Sequence, residues 1–259
     1  MSQLLGVIRH EFTMSIRRVG LWIAYLIVFA FFSVSLFTPS DSGPSDVFSS
    51  KPPWQEAGEV VYLFNMLMPL IAGILAADRM QRDVRLGLRE LQTSTPLKRP
   101  TYILGKYVGV LLSELTPMFL WVVAIGIFTT VTGLTSPAII GGIVAAFFAI
   151  AAPSFAFVVA FSLACPLIMP VRVYQILFTG YWFWGNFLNA KVFPSVSDTL
   201  LNSSGIYASQ GFFRGTISQT EEVLRTPLEA WLNILVLSLC AGIVLVALER
   251  VFAWQAKRA

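Results

Sequence analysis

The chain has 259 residues, of which 56% are hydrophobic and only 12% are charged, and its formal net charge is +4. Soluble domains carry about 25% charged residues, so this composition excludes a water-soluble globular protein and predicts an all-α integral membrane protein. The two cysteines, Cys165 and Cys240, have no CxxC or metal-ligand spacing, which indicates small core residues and no metal site.

Residues 1–18 predict an amphipathic helix. Apolar side chains recur every three or four positions on one stripe, at Leu4, Leu5, Ile8, Phe12 and Ile16. Because basic residues flank this stripe, we expect the helix to lie in the headgroup plane at the membrane interface. The plainer alternative is a positively charged flank that only sets the topology.

Six apolar stretches predict transmembrane helices, each of which needs about 17–25 residues to cross the hydrocarbon core. They cover residues 19–37, 60–77, 108–131, 138–163, 173–188 and 230–248. The fifth is the shortest and is interrupted by Gly180, Gly185 and Asn186. All six belong to a single transmembrane domain over residues 1–259.

The loop at 78–107 holds seven of the eighteen basic residues. Apolar residues at i, i+4, i+8 and i+11 predict that the second span continues into this loop as an amphipathic helix; they are Met80, Val84, Leu88 and Leu91. Two further pairs are spaced for i,i+4 contacts, Asp78 with Arg82 and Arg79 with Asp83.

Prolines divide the second half of this loop. Pro96 follows a run of Ser and Thr and suits the first turn of a new helix, whereas Pro100 disfavours helix at Arg99 and can open the third span. The predicted order is therefore helix, very short helix, helix.

A few polar side chains fall inside the predicted spans, where they are costly unless they face a cavity or a partner. Glu114 in the third span is a candidate for the substrate pathway, and a paired or protonated structural carboxylate is the alternative. Weaker candidates, which would otherwise bond between helices, are Asn65, Asn186 and Asn233.

The outer loop at 189–229 is too apolar for disorder. We expect short re-entrant helices here, between the fifth and sixth spans, with protein neighbours that satisfy their backbone. The alternative is a small external lid that only stabilises the last two spans.

Basic residues fix the predicted orientation. Fourteen of the eighteen lie on the side of the N-terminus, and only four lie on the other side, at Lys51, Lys191, Arg214 and Arg225. Both termini are therefore expected in the cytoplasm. The net positive charge follows from membrane topology, so no nucleic-acid partner is expected.

Catalytic motifs are missing from the sequence. The only Gly-Lys pair, Gly105 with Lys106, lacks the rest of a phosphate-binding loop, and neither HExxH nor GxSxG occurs. We therefore do not expect this chain to be an enzyme or to carry a cofactor of its own.

The loop at 78–107 also carries a family resemblance. Gly87, Pro96, Arg99, Gly105 and Lys106 follow a spacing that resembles the membrane subunit of a type-2 ATP-binding cassette (ABC) transporter. The resemblance covers most of the chain, from the amphipathic N-terminal helix to the long outer loop.

In that family the short connection is a cytoplasmic coupling helix, here at 91–99, that seats in a groove of the ATPase subunit. The contact residues implied by the resemblance are Arg85, Gly87, Arg89, Leu91, Thr95, Pro96, Leu97, Lys98 and Arg99, with a second, smaller contact at Met169, Pro170 and Arg172. The alternative is that the basic loop only holds topology and touches anionic lipid headgroups.

The resemblance also implies partners and a setting. Two ATPase subunits would bind ATP and Mg²⁺, a second permease subunit would be identical or related, and the complex would lie in the cell inner or plasma membrane among its lipids. Export of a hydrophobic or amphipathic lipid, peptide or drug-like substrate would be the activity. Alternatives are an ion-gradient-driven secondary transporter, against which the lack of an internal repeat argues mildly, and a non-transporting immunity or scaffold protein.

Overall fold

The computed structural model describes residues 2–38, 48, 51–85, 98–190, 192–216 and 225–256, and all regular secondary structure in this part is helical. The chain begins with α1 (Ser2–Ile16), which confirms the predicted N-terminal helix. It continues into α2 (Val19–Phe37), which has the bounds predicted for the first span.

The second predicted span, 60–77, is part of a longer run of helices. It comprises α3 (Pro53–Asn65), α4 (Met68–Ala76) and α5 (Asp78–Arg85). A turn at Met66 and Leu67 separates α3 from α4, because Pro69 has no N–H to continue the hydrogen bonds of α3. The second span does continue as a helix beyond residue 77, as its apolar spacing predicts.

The third span, α6 (Arg99–Val131), begins nine residues before the predicted bound of 108. Pro100 lies in its first turn, where a missing N–H costs nothing. Lys106 and the neighbouring polar residues are therefore helical, although the apolar pattern alone excludes them from the span.

The fourth span consists of α7 (Ala138–Ala146), a π-helical turn (Phe147–Ala151) and α8 (Ala152–Ala164). A short 3₁₀ turn (Cys165–Leu167) then leads to α9 (Val171–Phe187). The last span is α11 (Pro227–Ala256), which extends past both predicted bounds of 230–248.

Five helices in the described part of the chain are long and apolar enough to cross a membrane, at Val19–Phe37, Pro53–Asp83, Arg99–Val131, Ala138–Leu167 and Pro227–Val251. The predicted fifth span forms the helix α9, but its 17 residues make it shorter than these five, so its crossing of the membrane stays a prediction.

We call the end of the bundle where α5 ends and α6 begins the inner end, and the opposite end the outer end. The outer segment, residues 192–216, contains one helix, α10 (Ile206–Phe213), which packs on α3 and α11. Most of α10 is buried. The largest apolar cluster lies between α2, α3, α6 and α7.

Candidate functional site

Three helices are joined by ion pairs at the inner end. The side chain of Lys106 on α6 is fully buried, and its Nζ lies 2.5 Å from Asp83 Oδ2 on α5 and 3.0 Å from Glu11 Oε1 on α1. The hydroxyl of Tyr102 also donates to Asp83 Oδ2. We call Glu11, Asp83 and Lys106 the inner triad. Its members link α1, α5 and α6 directly.

Two glycines let α1 approach α6 closely enough for these contacts. A Cβ at Gly109 would lie 2.7 Å from Glu11 Cβ and 2.9 Å from the carbonyl oxygen of Ile8, and one at Gly105 would lie 2.8 Å from Val7 Cγ1. Small residues four positions apart commonly permit such close helix packing in membranes. The Gly105–Gly109 spacing therefore positions Glu11 next to Lys106.

The packing face of α1 includes one edge of the predicted apolar stripe, because Leu4 lies next to Gly105 and the backbone of Ile8 lies next to Gly109. Glu11 and Ser15 are buried, whereas Leu5, a member of that stripe, is 61% exposed. The interfacial placement of this helix stays a prediction, and the exposed Leu5 is available for it.

A second polar cluster lies about two helical turns further along α6. Glu114 is buried, and Tyr25 on α2 donates its hydroxyl to Glu114 Oε2 at 3.0 Å and to the Glu114 carbonyl oxygen at 3.1 Å. The charges of Arg18 and Arg79 lie close enough to interact with the Glu114 carboxyl group. The two clusters share the space between α1, α2, α5 and α6.

This region has hydrogen-bonding capacity in excess of its contacts. Within the described part of the chain, four buried atoms of this region have no hydrogen-bond partner, namely Glu11 Oε2, Ser15 Oγ, Arg18 Nη2 and Arg79 Nη1. Burial lowers the pKa of the Arg18 guanidinium, and the positive charge of Arg82 lowers that pKa further. These atoms retain the capacity to bond to a water molecule or to a further polar group.

The two i,i+4 pairs predicted on α5 are not formed within 4 Å among the described residues. Asp83 pairs instead with Lys106, and the charge of Arg79 interacts with the charges of Arg18, Glu11 and Glu114. The tertiary contacts prevail because a surface i,i+4 pair contributes only about 0.2–0.5 kcal/mol.

Only part of the predicted ATPase contact lies in the described residues. The backbone of Arg85 is described as the end of α5. Lys98 and Arg99 are exposed at the start of α6. Pro170 and Arg172 are exposed and Met169 is half-buried, at the turn between α8 and α9. Outside the described residues lie Gly87, Arg89, Leu91, Thr95, Pro96 and Leu97, and with them nearly all of the predicted coupling helix.

The two predicted contact regions are close to each other at the inner end. The helix α5, which leads into residues 86–97, packs against the 3₁₀ turn Cys165–Leu167 that precedes Met169. A partner seated at the inner end can therefore reach both.

The three asparagines bind the outer segment. Asn65 Nδ2 donates to the carbonyl oxygen of Ser204 at 2.7 Å, and Asn186 Oδ1 accepts from the backbone N–H of Ser203 at 2.8 Å. Asn233 Nδ2 donates to the carbonyl oxygens of Leu200 and Asn202, both at 2.9 Å. Asparagines on α3, α9 and α11 thus satisfy the irregular backbone of residues 200–204, and any role in the substrate pathway stays a prediction.

Gly205 allows the backbone of the outer segment to pack against the π-helical turn. Its φ is +84°, and a Cβ there would lie 2.5 Å from Ile150 Cγ2. A glycine is required because both the backbone conformation and the space exclude a side chain.

A buried acid that the sequence analysis missed holds the other end of α10. Glu59 on α3 accepts hydrogen bonds from Lys51 Nζ and from the N–H and hydroxyl of Thr216, each at 2.8 Å. Nearby, the hydroxyl of Thr135 donates to Glu56 Oε2 at 2.5 Å. In the sequence, the only signal for Glu59 is its position directly before the apolar run that starts the predicted second span at residue 60.

The described residues contain no group of three or more His, Cys, Asp or Glu side chains that could hold a metal ion.

Comparison with known proteins gives one family. The model of the ABC-2 family transporter protein matches residues 5–252, nearly the whole chain. No curated protein matches the chain.

Proposed function

The chain belongs to the ABC-2 family of transporter proteins, and from that we propose that it is the transmembrane subunit of an ATP-driven exporter. Because the sequence has no phosphate-binding loop, ATP and Mg²⁺ bind to a separate ATPase subunit in this proposal. The chain itself is a multi-pass membrane protein without an enzymatic role.

The observation that carries the proposal is the inner triad. Residues 86–98 connect α5 to α6, and the Asp83–Lys106 pair joins the last turn of α5 to a residue about two turns into α6. A force applied to the connection by a docked ATPase would therefore move α5 and α6 together.

Glu11 extends this link to α1. Because Lys106 binds both carboxylates, and because Gly105 and Gly109 bring α1 against α6, the three helices would move as one body. The contact of α5 with the 3₁₀ turn Cys165–Leu167 would pass the same movement to α8 and α9.

At the outer end, the outer segment would lie at the exit of the substrate pathway. Its backbone is held by Asn65, Asn186 and Asn233 and by the contacts of Glu59, which supports a segment that is ordered between the helices and able to close the exit. Re-entry of this segment into the membrane is part of the proposal.

The assembly in this proposal contains two ATPase subunits and a second permease subunit, and both termini lie in the cytoplasm of a cell inner or plasma membrane. An apolar, aromatic-rich chain suits a hydrophobic or amphipathic cargo, such as a lipid, a peptide or a drug-like molecule.

Purification of the tagged full-length protein from its native membrane tests the ATPase docking. We expect an ATP-binding subunit to co-purify, and vanadate-sensitive ATPase activity to accompany it. Arg99→Glu, which reverses an exposed charge at the start of α6, is expected to reduce co-purification strongly.

The matched control is Arg214→Glu, which reverses an exposed charge in the outer segment, at the opposite end of the bundle. This variant should retain the ATPase subunit. Equal retention by Arg99→Glu and Arg214→Glu, with both inserted in the membrane, would count against docking at this surface, and transport driven by an ion gradient without ATP would overturn the proposed function.

A further inference from the structure

An apolar groove runs along the outside of the bundle between α8, α9 and α11. Its volume is about 370 Å³, and its lining is almost entirely aliphatic, aromatic and sulfur-containing. Phe157 and Phe161 of α8 line it together with Cys165 of the following 3₁₀ turn, Tyr174 and Phe178 lie on the α9 side, and Cys240 lies on the α11 side. We propose that this groove binds one acyl chain of a membrane phospholipid.

The surroundings of the groove determine its occupant. Its α8 side and its α11 side belong to helices that are long and apolar enough to cross a membrane. Leu177 and Leu201 line it and are exposed, at 58% and 39%, so the groove opens sideways at an apolar rim. Exposed Ile176 and Leu239 continue the apolar surface on either side. A groove that opens sideways between such helices opens to the hydrocarbon core of the bilayer.

The length of the groove along α8 is close to the hydrocarbon thickness of one leaflet. Phe157 and Cys165 are eight residues apart on helix, which corresponds to about 12 Å. One leaflet contributes about half of the roughly 30 Å hydrocarbon core. Cys165 lies at the inner end of α8 and Leu201 belongs to the outer segment, so the groove runs along the helices between the two ends of the bundle, as an extended acyl chain does.

The groove has little to offer a polar ligand. The hydroxyl of Tyr174 is already bonded to the hydroxyl of Ser162 at 2.8 Å, and this pair is buried. A ligand in the groove therefore gains from burial of hydrocarbon and not from directed hydrogen bonds, which is the recognition chemistry of an alkyl chain.

The sequence supplies its own probes for this groove, because its only two cysteines, Cys165 and Cys240, both line it. The full-length protein, reconstituted in vesicles that contain a phosphatidylcholine with a diazirine in one acyl chain, is irradiated, and the crosslinked peptides are mapped. We expect crosslinks to concentrate on Phe157–Cys165 and on the Tyr174–Tyr181 face of α9.

Cys240→Trp fills the groove and should lower that crosslinking by about tenfold, since excluding even two methylene groups costs about that factor in occupancy. The matched control is Leu239→Trp, which adds the same side chain at an exposed neighbouring position and should leave the crosslinking unchanged. Equal crosslinking in both variants and in the unmodified protein would overturn the proposal.

A second measurement does not depend on the folding of Cys240→Trp. Alkylation of Cys165 and Cys240 by N-ethylmaleimide in detergent should slow by about tenfold when phosphatidylglycerol is added, whereas a cysteine placed at Leu239 in a variant without the native cysteines should react at the same rate in both conditions. Unchanged alkylation of the native cysteines would contradict the proposal. So would native mass spectrometry that finds a bound species other than a phospholipid, displaced by the groove-filling substitution.

Discussion

Lys106 on α6 and Asp83 on α5 form an ion pair of 2.5 Å, and the lysine side chain is completely buried. A buried ammonium is stable only when it is paired, and Glu11 supplies a second carboxylate at 3.0 Å while the ring of Tyr102 lies 5.7 Å from Nζ. Lys106 is thus the common partner of two helices whose residues are distant from it in the sequence.

Replacement of Lys106 by Met should lower the free energy of unfolding by about 3–5 kcal/mol, because two carboxylates are left buried without a cation. Thermal or urea unfolding of the purified protein in detergent measures the change. The control combines Lys106→Met with Glu11→Gln and Asp83→Asn, which removes the unpaired charges and should recover much of the stability. A single variant as stable as the unmodified protein would show that the triad does not hold these helices together.

The approach of α1 to α6 gives a second prediction. Gly109→Ala should cost about 1–3 kcal/mol, because the new methyl group would lie 2.7 Å from Glu11 Cβ and 2.9 Å from the backbone of Ile8, so α1 must move away. Gly6→Ala on α1 is the matched control, since its methyl group meets nothing within 4 Å and should be neutral or stabilising by up to about 1 kcal/mol. Unfolding of the two variants under identical conditions tests this, and equal effects would contradict the packing.

The outer segment should depend on Glu59. Glu59→Ala removes the acceptor for Lys51 and for both donors of Thr216, so the end of α10 should open more readily, by about 1–3 kcal/mol. Hydrogen–deuterium exchange of residues 206–216 measures this opening. Glu249→Ala, which removes a carboxylate from an exposed pair with Arg250, is the control and should leave the exchange unchanged. Protection of α10 that survives Glu59→Ala would mean that apolar packing alone holds the segment.

The helices were largely predictable from the sequence, and the starts of two of them were not. Apolar length locates the membrane spans because burial in hydrocarbon dominates their energetics. The same criterion places the starts of α3 and α6 too late, because Glu59 and Lys106 interrupt the apolar pattern. Both side chains lie within helices because partners elsewhere in the sequence pair with them. A local pattern of apolar residues does not show which distant residues come close in space.

The polar contacts were likewise only partly predictable from the sequence. The sequence shows Glu114 and Asn233 as polar side chains within predicted spans, where a cavity or a partner is expected. It does not reveal that Tyr25 is the partner of Glu114, or that Asn233 binds the backbone of the outer segment. The Gly105–Gly109 spacing, by contrast, is legible in the sequence as a close-packing signal, and only the identity of the helix that packs there requires the structure.

Two substitutions of Glu114 can separate a structural role of this residue from a role in transport. Glu114→Gln keeps an oxygen acceptor for Tyr25, so the free energy of unfolding should change by no more than about 1 kcal/mol. Glu114→Leu removes that acceptor and leaves the Tyr25 hydroxyl without a side-chain partner, which should cost about 1–3 kcal/mol.

If the carboxyl group takes part in transport, Glu114→Gln should reduce export and the stimulation of the partner ATPase while stability is retained. Tyr25→Phe is the control, because it removes the hydrogen bond but keeps the acid, and it should lower stability by about 1 kcal/mol with a smaller effect on export. Export and ATPase stimulation that both remain normal in Glu114→Gln would assign this residue a structural role only, since the amide preserves its hydrogen bond and removes nothing but its ability to carry charge.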